Sequence, residues 1–494
     1  MIRKLILAAV AALTLASCAS NPATGGKNVV LSSTKSEIEQ SRRLYQQIIQ
    51  AYGLYEDQAV QDYVNAVGQK VAKSSDLPDW KFTFTVLDDE SVNAFTTGGG
   101  YVYIHRGIMN YFTSEAQLAS VLGHEIGHVT ARHPARQQTR GVLASVLATG
   151  AAIFTGSSAV AQMANVGATA WISGYGRAAE MEADRLGLKY AARAGYLPDG
   201  APQAFAILRS QETFEIDRAK AEGREPQIYH GVFADHPPPD ARVIQASRGA
   251  ADYVETPEGG WMENRDAYMK AVDGLPYGSS RAQGIVRDNR FYHADMGITL
   301  AFPKGWTIEN QRDRILAYFK TVKNSQNVDS VMQITVRPHP EKQAPREFLL
   351  ESLRGAALAY GKEIEVNGMQ GYAVVTRSGS PLDGGEGPVR WVALYRDKSA
   401  FLIAGASKSA LRGMPADDGL FMSTVGTLRN LKPSEYPLAQ PYRIKVMQAT
   451  EHTKLDDYVK NVPVERYRKE ELELLNGLYP KGKVQPGQYI KVVE

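Results

Sequence analysis

Gly123-His124-Glu125-Ile126-Gly127-His128 is the stretch on which the reading of this 494-residue chain turns. It lies in a run with helical patterning. Ser114 with Gln117 forms a capping-box pattern, and Leu118, Val121, Leu122, Ile126 and Val129 recur at core spacing. The helix is expected to run to about His133, because Pro134 cannot continue it. His124 and His128, at i and i+4, project from one face a turn apart, which lets both imidazoles reach one zinc ion. Glu125 lies beside them and can take a proton from water at the metal. Catalytic zinc takes a third protein ligand and keeps one position open. The metzincin arrangement would put that ligand at position 134, where Pro134 stands. His133 falls about half a turn out of phase with the pair on an ideal helix and is assigned a helix-terminal or surface role. The next strong helix supplies Glu180-Met181-Glu182-Ala183-Asp184. Glu180 and Asp184 share a face, so one carboxylate can bind the metal while the other holds a ligand histidine's free N–H, and Glu182 points elsewhere.

Around this segment the chain reads as α+β. Two helices broken near Gly53 span Thr34 to about Ala72, and alternation predicts strands over Lys81 to Leu87 and Gly100 to His105. Helical patterning returns from about Arg177 to Ala194 and from Ala201 to Ala221. Between Arg140 and Arg177 no residue is charged, and the polar and small residues there fit a packed helix or active-site flap better than a membrane span. Loss of pattern around Asp273 to Gln283 marks a domain boundary. Residues 285–432 then form an α+β domain of unassigned role, with a helix near Pro345 to Tyr360. The expected order is thus a signal peptide (1–17), a tether (18–33), a mostly helical catalytic domain with a small sheet (34–272), that α+β domain, and a small C-terminal module (442–494).

Composition is 44% hydrophobic and 22% charged, enough for large cores. The net charge of +3 gives no electrostatic case for a nucleic-acid partner. The single cysteine, Cys18, rules out an intramolecular disulfide. It follows Arg3, Lys4, an uncharged run and small residues, and Leu15-Ala16-Ser17-Cys18 resembles a bacterial lipobox, in which the cysteine is acylated. Ala19 follows where Asp would signal inner-membrane retention. Resemblance to bacterial lipoproteins therefore implies the periplasmic face of the outer membrane.

His124-Glu125-Ile126-Gly127-His128 with Arg177 through Asp184 resembles the gluzincin family that contains the CAAX prenyl proteases, the HtpX-type membrane proteases and the BepA-like periplasmic proteases. Val92-Asn93-Ala94-Phe95, Gly98-Gly99-Gly100-Tyr101-Val102-Tyr103-Ile104 with Arg106-Gly107, and His236-Pro237-Pro238 with Arg242 are similar to further segments of that family, in the same order. One departure is Gly176, where the family often has serine. The resemblance implies a zincin fold with one zinc ion held by His124, His128 and Glu180, Glu125 as general base, and Asp184 supporting a ligand histidine. It implies that His236 and Arg242 stand near the substrate carbonyl, or that His236 takes the remaining zinc position and keeps the enzyme latent. It also makes Gly100, Tyr101, Val102, Tyr103 and Ile104 a sheet edge that pairs with extended substrate.

The C-terminal segment resembles a LysM module, a strand, two helices and a closing strand. Its first turn is degenerate, Glu451-His452-Thr453-Lys454-Leu455, which leaves peptidoglycan binding and simple packing both open. The expected function is a lipid-anchored zinc endopeptidase that clears misfolded or misassembled envelope proteins. The alternatives are an outer-membrane assembly factor or chaperone with a latent zinc site, and a peptidoglycan-directed enzyme.

Overall fold

The computed structural model describes residues 18–20, 25, 27–30, 32–139, 175–226, 239–320, 328–382, 385–464 and 466–494. The expected signal peptide, nearly all of the uncharged stretch after Arg140, and His236 with its prolines lie outside the described residues. The chain divides into two units, Met1–Tyr277 with Arg443–Glu494, and Gly278–Tyr442, and mixes helix and strand throughout, which makes it an α+β protein.

In the first unit, the segment read as a tether includes a short antiparallel pair, β1 (Cys18–Ser20) and β2 (Lys27–Val29). Helices α1 (Thr34–Tyr52) and α2 (Gln58–Lys73) part at Gly53, which takes a positive φ of 84°. Asp57 caps α2 by accepting from the Ala59 and Val60 amides, and the helix turns Val60, Val64, Val67 and Val71 inward at amphipathic spacing.

Strands β3 (Thr83–Leu87), β4 (Ala94–Gly98) and β5 (Tyr101–His105) form one sheet in the order β3-β5-β4, with β3 parallel and β4 antiparallel to β5. This corrects the expected edge role of Gly100, Tyr101, Val102, Tyr103 and Ile104. The strand is the inner one, bonded on both sides. The cause lies in Gly98, Gly99 and Gly100, whose φ values of 81°, 61° and 94° make the turn that folds β4 back onto β5.

After the short helix α3 (Arg106–Met109) comes the motif helix α4 (Glu115–Thr130), buried along its whole length. Ser114 accepts from the Gln117 amide as its spacing predicts, but Gln117 turns its own side-chain oxygen to the Thr113 amide at 2.7 Å, so only half of a capping box forms. The helix ends at Thr130, earlier than expected. Arg132 takes a left-handed φ of 56°, and a new helical stretch starts at His133 with Pro134 in its first turn, where a missing N–H costs nothing.

Further described helices of the unit are α5 (Arg177–Arg193), α6 (Gly200–Glu222), α7 (Pro239–Ala251) and α8 (Arg265–Val272). Helix α5 lies directly on α4. A Cβ placed on Gly187 would sit 2.6 Å from the His124 amide nitrogen, and one on Gly123 would sit 2.8 Å from the Gly187 carbonyl oxygen, so the two backbones touch where the glycines face each other.

The C-terminal segment belongs to this unit. Strand Tyr442–Gln448 lies between Tyr489–Val493 and β6 (Pro276–Tyr277). Helix Arg468–Leu475 is present, whereas the other helix expected here is replaced by two 3₁₀ turns, Leu455–Asp457 and Val459–Asn461.

The second unit is built on a seven-stranded antiparallel sheet in the order Thr307–Asn310, Ile315–Phe319, Ser330–Pro338, Ser399–Ser407, Val389–Arg396, Met369–Thr376 and Leu358–Val366. Phe291, Leu300, Ile334, Phe401 and Phe421 are among its core residues. Its helix Pro345–Ser352 is shorter than the sequence suggested, and Tyr360 lies in the last strand of that order.

Candidate metal centre

Among the described residues, helices α4 and α5 supply the ligand-type side chains of the centre. Successive turns of α4 project His124 and His128, and the first turns of α5 bring up Glu180 and Asp184. The glycine contact at Gly123 and Gly187 sets the helices close enough for the carboxylates to reach the histidines.

Ligand-type atoms of His124, His128 and Glu180 lie within 4.8 Å of one another, and all three residues are buried. The two histidine Nε2 atoms are 3.0 Å apart, His124 Nε2 is 3.5 Å from Glu180 Oε2, and His128 Nε2 is 3.6 Å from Glu180 Oε1. A tetrahedral ion with bonds of about 2.0–2.1 Å sets its ligand atoms about 3.3 Å apart. The spacing and the donor set, two imidazole nitrogens and a carboxylate, fit a divalent metal of the zinc type. This cluster could hold a metal ion.

The surroundings fix each group. His124 Nδ1 lies 2.8 Å from Asp184 Oδ1, and Asp184 in turn receives Arg242 through Nε at 2.8 Å and an Nη at 2.5 Å. Burial opposes both charges. The Arg242 guanidinium nevertheless holds the Asp184 carboxyl well below the usual range, and the Asp184 bond leaves the His124 pKa raised. Around His128, burial acts together with the His124 and His133 rings and pushes the imidazole well below its ordinary pKa. Glu125, 2% exposed, has its carboxyl pushed up by burial to about 7.

Arg242, expected beside the substrate carbonyl, is instead buried, with its guanidinium 4.2 Å from the centre of the Phe205 ring and bonded to Asp184. It braces the carboxylate that braces His124. Glu182 stays out of the metal cluster and meets His133 and Arg136, at 3.1 and 3.3 Å. His133 is not a surface residue. It is 1% exposed, with Nδ1 2.9 Å from His128 Nδ1. Tyr175 stacks on the His128 ring with centroids 4.1 Å apart. Sequence reasoning missed Tyr175, whose one signal is its place just ahead of the carboxylate helix, and it missed the glycine pairing of α4 and α5.

An HExxH helix crossed by a helix carrying a third ligand-type carboxylate defines a metallopeptidase-type centre. Residues 58–249 match the model of peptidase family M48, so the chain carries a domain of that HExxH metalloprotease family. The chain is 32% identical over 240 residues to the putative beta-barrel assembly-enhancing protease of Vibrio cholerae serotype O1, covering 47% of this chain and 45% of that protein. It is 31% identical over 206 residues to the beta-barrel assembly-enhancing protease of Escherichia coli strain K12, covering 40% of each. Over 154 residues it is 32% identical to the mitochondrial metalloendopeptidase OMA1 of Arabidopsis thaliana, covering 31% of each. The chain thus spans less than half the length of these relatives.

Proposed function

We propose that the chain is a zinc metalloendopeptidase that hydrolyses misfolded or misassembled cell-envelope proteins. The observation that carries this reading is the buried His124, His128 and Glu180 cluster with Glu125 beside it on the same helix. A purely structural metal site has no use for that extra carboxylate. When bound, zinc supplies Lewis-acid polarisation of a peptide carbonyl and acidifies water at neutral pH. Glu125 takes the proton from the attacking water on its carboxylate and returns it to the leaving amine nitrogen. Asp184 and Arg242 hold His124 in place, and the closed packing of α4 against α5 keeps bulk water from the carboxylates.

The similarity to the putative beta-barrel assembly-enhancing protease of Vibrio cholerae and the beta-barrel assembly-enhancing protease of Escherichia coli supports envelope proteins as the substrate class. The lipobox ending in Cys18 supports a lipid anchor at the periplasmic face of the outer membrane. No helix among the described residues is long and apolar enough to cross a membrane. His236 is proposed either to assist at the substrate carbonyl or to plug the remaining zinc position, and replacing it separates the two, since faster cleavage marks a plug and lost cleavage marks assistance.

Purified protein and its Glu125→Gln variant test the reading. Both are expected to bind one zinc per chain, and only the wild type to cleave unfolded casein, with the variant slower by about 10²–10⁴-fold. Stoichiometric zinc without Glu125-dependent cleavage would transfer the reading to an assembly factor with a latent site.

A further inference from the structure

Among the described residues no carboxylate meets His128 Nδ1 as Asp184 meets His124 Nδ1, and a different device stands in its place. Its Nδ1 faces His133 Nδ1 at 2.9 Å, His133 Nε2 faces Glu182 Oε2 at 3.1 Å, and Arg136 donates to that same oxygen at 3.3 Å. We propose that His133 and Glu182 are positioning residues that lock His128 in its Nδ1–H tautomer and so aim the Nε2 lone pair at the metal cluster. The inference rests on His128 being a ligand, as the proposed function has it.

An ionised carboxylate accepts and cannot donate, so His133 Nε2 must carry the hydrogen that meets Glu182. In a neutral ring the other nitrogen is then an acceptor, which makes His133 Nδ1 the lone pair in the nitrogen-to-nitrogen contact. His128 Nδ1 must supply the hydrogen there, and its Nε2 is left with the lone pair. That is the nitrogen 3.0 Å from His124 Nε2 and 3.6 Å from Glu180 Oε1. Without the carboxylate the chain of bonds reads equally well in reverse, and the reversed form puts a hydrogen on Nε2, where a cation has to bind. Tyr175, stacked on the same ring, limits rotation but does not choose the tautomer.

The backbone is shaped for this contact. Continued as a straight helix, α4 would carry His133 away from the His128 face. The break at Ala131 and the left-handed Arg132 swing the chain so that His133, the first residue of the next helical stretch, turns back onto His128. Both ligand histidines therefore end on an arginine-paired carboxylate, His124 directly through Asp184 and His128 through an intervening imidazole.

Two readouts on the full chain decide the matter. In the metal-free protein labelled at histidine nitrogen, solid-state 15N spectra assigned by single-histidine substitution are expected to show His128 as Nδ1–H. His133→Phe and Glu182→Gln are each expected to move His128 toward a mixture with Nε2–H, and to weaken zinc by about 10–100-fold in chelator competition. His133→Asn, whose side-chain oxygen can stand where Nδ1 stood, is expected to restore most of the affinity that His133→Phe loses. An Nε2–H His128 in the wild type, unchanged zinc affinity in His133→Phe, or failure of Asn to rescue would each overturn the proposal, the last by showing that ring bulk alone matters. The tautomer is read without metal. A wild type that shows Nδ1–H His128 but binds no zinc would sink the ligand reading and leave the relay standing.

Discussion

Asp184 meets two partners with one carboxylate. It accepts from His124 Nδ1 at 2.8 Å and from both arms of Arg242, and both residues of the ion pair are about 2% exposed at the side chain. Buried ion pairs give little net stability when intact, but removing one partner costs about 3–5 kcal/mol, because the other charge stays buried. Asp184→Asn has one oxygen for the two jobs and turns an N–H toward whichever partner it does not serve. We expect zinc affinity to fall by about 10–100-fold. Urea unfolding should lose roughly 3–5 kcal/mol. A variant that keeps full stability would show that Arg242 finds another counterion. At this scale the sequence was informative wherever local periodicity sufficed. His124 with His128, and Glu180 with Asp184, share faces because the i, i+4 rule holds along an unbroken helix, and the structure brings those faces together. His133 escapes the rule for the converse reason: the helix breaks after Thr130, and nothing in Ala131-Arg132-His133 announces a left-handed arginine. Non-glycine residues take that conformation rarely, so it is not read from a residue's identity.

At the scale of elements, the centre depends on how closely α5 approaches α4. The approach is set by the absence of side-chain atoms at Gly123 and Gly187, where an added Cβ would meet backbone, which cannot move aside as a flexible side chain can. Gly187→Ala should push the helices apart, cost about 1–3 kcal/mol in urea unfolding, and lower zinc content by moving Glu180 from the histidines. Gly419 in helix Asp418–Val425 of the other unit is the control, since its Cβ would meet nothing within 4 Å and its φ is not positive. There the same change should be stabilising by roughly 0.4–1 kcal/mol through loss of unfolded-chain freedom. Equal effects at the two positions would mean that close approach is not what Gly187 provides. The helices themselves were legible from apolar spacing and capping residues, whereas their pairing was not, because glycine carries no periodic signal. The sheet shows the same limit. Strand β5 was found from its alternation, yet its inner position depends on β4, whose Ala94-Phe95-Thr96-Thr97-Gly98 is too short and too polar to read as a strand by itself.

For the whole molecule, the first unit draws on both ends of the described chain. Its closing residue of interest is Lys491, which is buried in strand Tyr489–Val493 and donates to the Asn110 carbonyl and, at 2.7 Å, to the Phe112 carbonyl just ahead of the motif helix. A tail read in isolation looks like a separate module because its own strands and helix pair locally. What ties it to residues near 110 is a tertiary contact with no sequence pattern, an amine placed on carbonyls 381 and 379 residues away. Burial pushes the Lys491 amine well below its ordinary pKa. The folded chain therefore releases that proton at a lower pH than the unfolded chain, whose lysine titrates near about 10.4. Between those two values the unfolded chain binds the additional proton, so stability rises with pH across the window, while below it both forms are charged and the burial cost is felt in full. Lys491→Met removes the titrating group but leaves the strand pairing in place. Urea unfolding from about pH 7 to about pH 10 should show the wild type gaining on this variant as the pH rises, up to the unfolded lysine pKa. Parallel curves would mean that the two carbonyls keep the amine charged, in which case the tail is fastened by an ammonium ion and Lys491→Met should be the less stable protein at every pH.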